Sequence, residues 1–198
     1  QGCGRLAAAA GEDVDAAVAL EGEKFGGLDI WVTKAALFLG RDFEEASVEE
    51  WNRMAAVNMT GVWLGTKQSV AALRKAGENS PCGSAIVNTA SINGLSPGNM
   101  QGIYSISKAA VISMTKSFAM ECAEFNVRVN ALLPGLTKTK FAGALFQQEE
   151  IYKSAIAQIP MHRHAEPKEM AGTVLYLVSD ASSYVTGECV VVDGGFTI

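Results

Sequence analysis

The residues of this chain whose spacing most directly suggests chemistry are a tyrosine and a lysine four apart, Tyr104-Ser105-Ile106-Ser107-Lys108. On a helix the two share a face, one turn and about 6 Å of rise apart. A phenol titrates near 10 and is a poor acid or base at neutral pH. An ammonium beside it favours the phenolate, and a fall of about 3 pH units takes roughly 4 kcal/mol of differential interaction. Such a pair passes a proton to or from a substrate oxygen. With four Tyr and ten Lys in 198 residues, the spacing arises by chance in about one such chain in five. A solvated Tyr/Lys pair therefore also accounts for the motif taken alone.

Other residues join it. Ser91 lies thirteen residues before Tyr104, just past the apolar run Ser84–Thr89 (SAIVNT), and opens the turn Ser91-Ile92-Asn93-Gly94. The end of a parallel strand is where α/β folds place their ligands. Asn58 sits in Val57-Asn58-Met59-Thr60-Gly61, inside a helical pattern where asparagine is disfavoured. A polar residue there needs a partner or a function. Pro134-Gly135 punctuates the end of another apolar run and is followed by Thr137 and Thr139.

Strands and helices alternate around these residues. The runs Leu28–Val32, Ser84–Thr89, Asn126–Leu133 and Glu188–Val192 are continuous rather than alternating, the pattern of a parallel sheet covered on both faces. Ser47 with Glu50 three residues on forms a capping box, and helical sequence runs from there to about Ala76 with a break expected near Gly61. Ser105–Glu124 has helical periodicity, and Pro167 opens a helix over Lys168–Ser179. Strand and helix in alternation predict an α/β fold with right-handed crossovers, and 198 residues suit a single domain over 1–198.

Composition narrows the function classes. A 48% hydrophobic and 19% charged chain is neither disordered nor fibrous. The net charge of −5 argues against a non-specific grip on nucleic acid or anionic lipid. No apolar run approaches the roughly 18 residues that cross a bilayer, so no membrane partner is expected. Cys3, Cys82, Cys122 and Cys189 are scattered without metal-ligand or redox spacing, which predicts reduced thiols in a cytoplasmic compartment. His162 and His164 flank Arg163, but no acidic or cysteine cluster completes a metal site, and a loop before the Pro167 helix is the preferred reading.

Taken together, Asn58, Ser91, Tyr104, Lys108, Pro134-Gly135, Thr139 and the closing Asp193-Gly194-Gly195 resemble the short-chain dehydrogenases/reductases, from about Glu23 to Ile198. Leu28–Val32 and Asn126-Val127-Arg128-Val129-Asn130 match that family's framework. The resemblance implies a Rossmann-like, doubly wound parallel sheet and an enzyme that uses NAD or NADP to interconvert a ketone and a secondary alcohol. It implies Tyr104 as general acid/base, Ser91 on the substrate oxygen, Lys108 lowering the Tyr104 pKa and binding the nicotinamide ribose, and Asn58 holding a water in a relay to Lys108. Pro134, Gly135, Thr137 and Thr139 would meet the nicotinamide carboxamide, and Asn88 would lie near the cofactor. The family commonly forms homotetramers or homodimers, and the apolar faces Val62, Leu64, Val70 and Val111, Met114, Phe118 suit such pairing or simple core packing. The segment Phe141–Gln158, with Leu145, Phe146, Ile151, Tyr152 and Ile156, corresponds to the family's variable substrate cover.

Two departures from the family stand out. Its glycine-rich phosphate turn has no counterpart, since Gly2-Cys3-Gly4 follows no apolar strand, so the first strands of the usual seven are lacking. Without them Leu28–Val32 is expected to form an exposed apolar edge. The chain opens on Gln1 rather than Met, and a longer parent protein is the favoured account. The alternative is a non-catalytic fragment or pseudoenzyme that binds no dinucleotide. The second departure is Thr33-Lys34-Ala35-Ala36 in place of Asn-Asn-Ala-Gly. Loss of the first Asn, which ties the central strands in that family, is expected to weaken local order and adenosine binding. Lys34, Lys138 and Lys140 read as solvated charges, and Met114, Met120, Met161 and Met170 as fillers of core or interface gaps. Sugar epimerase or dehydratase chemistry shares the Tyr/Lys pair but needs a longer region after Pro134.

Overall fold

A computed structural model describes residues 11–139 and 143–198. Four parallel strands, β1 (Ile30–Thr33), β2 (Ser84–Thr89), β3 (Val127–Pro134) and β4 (Cys189–Val192), pair in the order β1-β2-β3-β4. The register sets Val32 against Val87, Val87 against Asn130 and Leu133 against Val191. The sequence runs thus form strands with ends shifted by a residue or two. Helices α1 (Gly11–Phe25), α2 (Val48–Ala55), α3 (Gly61–Glu78), α4 (Gly102–Cys122), α5 (Gly143–Phe146), α6 (Glu149–Ala157) and α7 (Pro167–Val178) connect and cover them.

Both faces of the two inner strands are dry, which is why their sequences do not alternate. On one face Ile86 and Val129 pack with Leu73 of α3 and Ala119 and Cys122 of α4. Further along the same face Ala131 and Leu133 meet Val62 of α3 and Val111 and Ile112 of α4. The opposite face places Val87 and Leu132 against Leu177 of α7. The faces expected to suit pairing between copies contribute here to the core: Val62 and Val111 are buried, and Val70, Met114 and Phe118 pack against these clusters. Met120 and Met161 are exposed and so fill no gap in the core of this chain. Strand β1 lies at the edge of the described sheet, with Ile30 43% and Val32 42% exposed.

The capping box at Ser47 forms, with Ser47 Oγ accepting from the Glu50 N–H and the Glu50 carboxylate accepting from the Ser47 N–H. No break occurs at Gly61. Residues Ala56–Thr60 make a single π turn that carries α2 directly into α3. Such turns insert one residue into a helix and recur at functional sites, and Asn58 is at the centre of this one.

Thr33, where the family has an asparagine, makes a side-chain bond between β1 and β2. The Thr33 hydroxyl donates to Asn88 Oδ1 at 2.9 Å, and Asn88 Nδ2 donates to Thr115 Oγ1 at 3.1 Å. A threonine therefore supplies the tie between β1 and β2, and a second threonine on α4 completes it. Among the described residues, no helix is long and apolar enough to cross a membrane.

Candidate active site

The carboxyl ends of β2 and β3 gather the candidate residues. Past β2 the chain turns at Ser91, whose extended backbone (φ −169°, ψ 156°) precedes a single 3₁₀ turn, Ile92–Gly94. Ser91 Oγ accepts from the Asn93 N–H at 3.2 Å. Gly94 lets this turn lie directly on α4: a Cβ there would stand 2.8 Å from the carbonyl carbon of Lys108 and 2.9 Å from the Ala109 nitrogen. A side chain at 94 would lift Ser91 away from the helix that carries Tyr104. The turn places Ser91 near the Tyr104 hydroxyl, where it favours the phenolate form.

Tyr104 and Lys108 occupy the first two turns of α4 and are 8% and 1% exposed. Lys108 Nζ donates to the carbonyl of Thr89 at 2.8 Å and lies 5.6 Å from the centroid of the Tyr104 ring. Burial pushes the Tyr104 pKa up, and the Ser91 hydrogen bond pulls it partly back. The lowering expected from Lys108 is therefore not what dominates in this state. Burial acts on Lys108 as well and brings its ammonium down to about 8. No salt bridge with a described carboxylate offsets that cost.

A buried ammonium of this kind has a measurable consequence. A fall from 10.5 to about 8 corresponds to about 3 kcal/mol against the folded state at neutral pH. The unfolded chain holds this proton more tightly, so native stability gains as pH rises from about 8 towards 10.5. Lys108→Met removes that cost and forfeits one charge-assisted hydrogen bond to Thr89, worth about 1.5–3 kcal/mol. The variant is expected to unfold in urea at pH 7 within about 1.5 kcal/mol of the parent, with a flatter pH dependence between 8 and 10.5. A loss of several kcal/mol at pH 7 would show that Lys108 is a structural anchor instead.

Asn58 has its partners inside the fold. Its Oδ1 accepts from the Leu37 N–H at 2.7 Å, and its Nδ2 donates to the Leu37 carbonyl at 2.8 Å and to Ser107 Oγ at 3.0 Å. Ser107 Oγ in turn donates to the Tyr104 carbonyl at 2.7 Å. The asparagine thereby clamps the loop after β1 to the Tyr104-bearing face of α4, and both of its amide hydrogens are engaged. Asn88, buried at the end of β2, is occupied by Thr33 and Thr115 as described.

Pro134 ends β3, and the Gly135 N–H donates to the Val192 carbonyl at 2.9 Å. A Cβ at 135 would stand 2.7 Å from both Cα and Cβ of Asp193, so only glycine permits the two strand ends to meet. Thr137 donates its hydroxyl to the Gly135 carbonyl at 3.1 Å and forms an isolated bridge with Ala165. Thr139 and Lys138 are exposed, as is Lys34. The structure thus brings Ser91, Tyr104 and Lys108 together, ties Asn58 to the Tyr104 turn through Ser107, and sets the 134–139 segment at the end of the neighbouring strand.

Gly2-Cys3-Gly4, Lys140 and Phe141 lie outside the described residues. Beyond Phe141 the chain forms α5 and α6, where Phe146 and Tyr152 pack on His164 with ring centroids 5.2 and 5.8 Å away. His164 Nδ1 lies 2.7 Å from the Tyr152 hydroxyl, and its Nε2 lies 3.5 Å from Glu166. Arg163 pairs with Glu169 through two short contacts, 2.7 and 2.8 Å.

Two participants escape a reading of the sequence. Thr89 acts through its carbonyl, which no side-chain pattern reveals. Phe38 packs edge-to-face on Tyr104, with centroids 5.3 Å apart and planes at 87°. Its one sequence signal is an aromatic residue shortly after a strand end.

Comparison with known proteins agrees with this geometry. The profile of the enoyl-(acyl carrier protein) reductase family matches residues 6–197. The chain is 37% identical to trans-4-hydroxycyclohexanecarboxylate dehydrogenase of Sinomonas cyclohexanicum, over 94% of this chain and 67% of that protein. It is 36% identical to the NADP-dependent (R)-specific alcohol dehydrogenase of Lentilactobacillus kefiri, over 88% of this chain and 68% of the other. Among solved structures, a short-chain type dehydrogenase/reductase from Mycobacterium marinum superposes with a TM-score of 0.89 at 32% identity, covering 98% of this chain and 74% of that one. The chain therefore spans about two thirds of the length of these curated relatives. With its four-stranded parallel sheet, helices on both faces and these relatives, the chain belongs to the short-chain dehydrogenase/reductase family of oxidoreductases.

Proposed function

We propose that this chain carries the catalytic half of an NAD- or NADP-dependent oxidoreductase that interconverts a ketone and a secondary alcohol, with Tyr104 as general acid/base. The observation that carries the reading is the buried Ser91–Tyr104–Lys108 group at the carboxyl ends of parallel strands. The Lys108 ammonium fits the nicotinamide ribose. It is buried, meets no described carboxylate in a salt bridge, and carries three donor hydrogens, one of which goes to the Thr89 carbonyl. Pro134, Gly135, Thr137 and Thr139 stand at the adjoining strand end, where they would face the carboxamide. When bound, the dinucleotide supplies or accepts the hydride.

The residues of the chain manage the proton. Ser91 and Tyr104 share one hydrogen bond, so an oxygen placed between them receives two donors in a water-poor site. In reduction, Tyr104 gives its proton to the developing alkoxide. In oxidation it must first become a phenolate. Lys108 stabilises that anion from the next turn of α4 once its own hydrogens meet the cofactor. Asn58 holds the loop after β1 and the Tyr104–Lys108 turn in register through Leu37 and Ser107.

One relative is a dehydrogenase of a hydroxycyclohexanecarboxylate and another an (R)-specific alcohol dehydrogenase. An alicyclic or similarly apolar ketone/alcohol pair is the substrate class we assign, and a homodimer or homotetramer is the assembly. Ser91→Ala tests the reading. It is expected to lower kcat/KM for cyclohexanone reduction by about 10²-fold, as removal of one oxyanion donor does elsewhere. It is expected to leave dinucleotide affinity unchanged. Unaltered kcat/KM would remove Ser91 from the reaction.

A further inference from the structure

Tyr104 reaches the site from α4 alone, and a tyrosine ring at a helix start has more than one rotamer open to it. Something must select the one that meets Ser91. The loop after β1 supplies an aromatic surface beside it. Both backbone groups of Leu37 are held by the Asn58 amide, at 2.7 and 2.8 Å. This two-point clamp fixes the position of the next residue, Phe38. The Phe38 ring then stands perpendicular to that of Tyr104 at 5.3 Å, the arrangement aromatic quadrupoles favour. A second contact steadies the same loop from outside, where the Arg41 N–H donates to the Met100 carbonyl at 2.9 Å.

We propose that Phe38 is a positioning residue for Tyr104, its clamped ring holding the phenol in the orientation that meets Ser91 and excluding water from one side of it. This rests on the reading of Tyr104 as the acid/base. Among the described residues, Lys108 on the same helix faces the phenol, 5.6 Å from the ring centroid; burial raises the phenol's pKa and Ser91 lowers it. Phe38 thus affects the proton step through geometry and desolvation, without touching the reacting atoms.

The experiment compares Phe38→Ala, Phe38→Leu and Phe38→Tyr in cyclohexanol oxidation with NAD or NADP, across a pH range of about 6 to 11. Phe38→Ala is expected to lower kcat about tenfold, with the KM for dinucleotide unchanged. Rehydration of the phenol is expected to move the midpoint of the kcat rise to lower pH by about half a unit or more. Phe38→Tyr keeps the ring and is expected to restore both readouts to within about threefold and about 0.2 units. Phe38→Leu keeps bulk without a ring and is expected to resemble Phe38→Ala in kcat, which secures the test if the alanine variant folds poorly. A raised KM for the alcohol with kcat and pH midpoint unmoved in both the Ala and Leu variants would overturn the proposal and make Phe38 a pocket wall. An active Tyr104→Phe would overturn the underlying reading instead, so the two failures are distinguishable.

Discussion

Tyr104→Phe is expected to lower turnover by about 10²- to 10⁴-fold in both directions while the protein stays folded. The substitution deletes one oxygen and keeps the ring, so the edge-to-face contact with Phe38 and the packing on α4 survive. What goes is the hydroxyl and its interaction with Ser91. A stability loss of about 1 kcal/mol covers that interaction. Thermal unfolding should therefore shift by only a few degrees. Burial also fixes the sign of the pH dependence. It raises the Tyr104 pKa, so the phenol is protonated at neutral pH, the form that gives a proton to a ketone oxygen. Ketone reduction is expected to proceed at about pH 7, whereas alcohol oxidation, which needs the phenolate, should climb as pH rises towards and beyond about 10. Activity of the phenylalanine variant within tenfold of the parent would take Tyr104 out of the chemistry.

The largest stability effect is expected at Arg128, a buried guanidinium on β3 with no part in the proton chemistry. Its Nη1 donates to the Leu177 carbonyl and to Ser182 Oγ, both at 2.9 Å, and its Nη2 reaches the Ser179 carbonyl at 3.4 Å. The Leu177 carbonyl is among the last of α7, which the end of a helix leaves without intrahelical partners, and the Ser179 carbonyl and Ser182 hydroxyl belong to the turn after it. A cation there also meets the negative end of the helix dipole. Arg128→Met keeps the aliphatic volume and takes from the Leu177 carbonyl the donor that Arg128 supplies. It is expected to cost about 2–3 kcal/mol, read as a lower urea midpoint with an unchanged slope. A loss below about 1 kcal/mol would mean that water takes over the capping of α7.

Much of this architecture is legible in the sequence because it depends on local pattern. Apolar runs mark the four strands, since a parallel sheet covered on both sides admits little else. Ser47 with Glu50, and Pro167, mark helix starts through side-chain chemistry that acts within four residues. Gly61 reads as a break because glycine disfavours helix, but Asn58 recruits Leu37 and Ser107 from elsewhere, and the helix absorbs the extra residue as a π turn. Thr33 illustrates the same limit. Its departure from the family pattern suggests weaker order, yet a hydroxyl makes the tie to Asn88, and only the pairing of β1 with β2 reveals it. Residue types and spacing single out Ser91, Tyr104 and Lys108 as candidates. They do not show that burial, rather than their mutual charge, governs how the pair titrates. Phe38 is invisible for a related reason, because its contact with Tyr104 joins positions 66 apart in sequence.

The central claim is that this protein transfers hydride between a dinucleotide and a carbonyl carbon, with Tyr104 handling the proton. The direct test incubates it with NADH or NADPH carrying deuterium at the transferable position of the nicotinamide ring, together with cyclohexanone and 4-oxocyclohexanecarboxylate. The alcohol product is then read by mass spectrometry. The account predicts one deuterium on the carbinol carbon with at least one of the two cofactors, and loss of that label in Tyr104→Phe. No labelled alcohol, together with no binding of either dinucleotide, would contradict it. The chain would then be a protein that keeps the family's framework without its reaction.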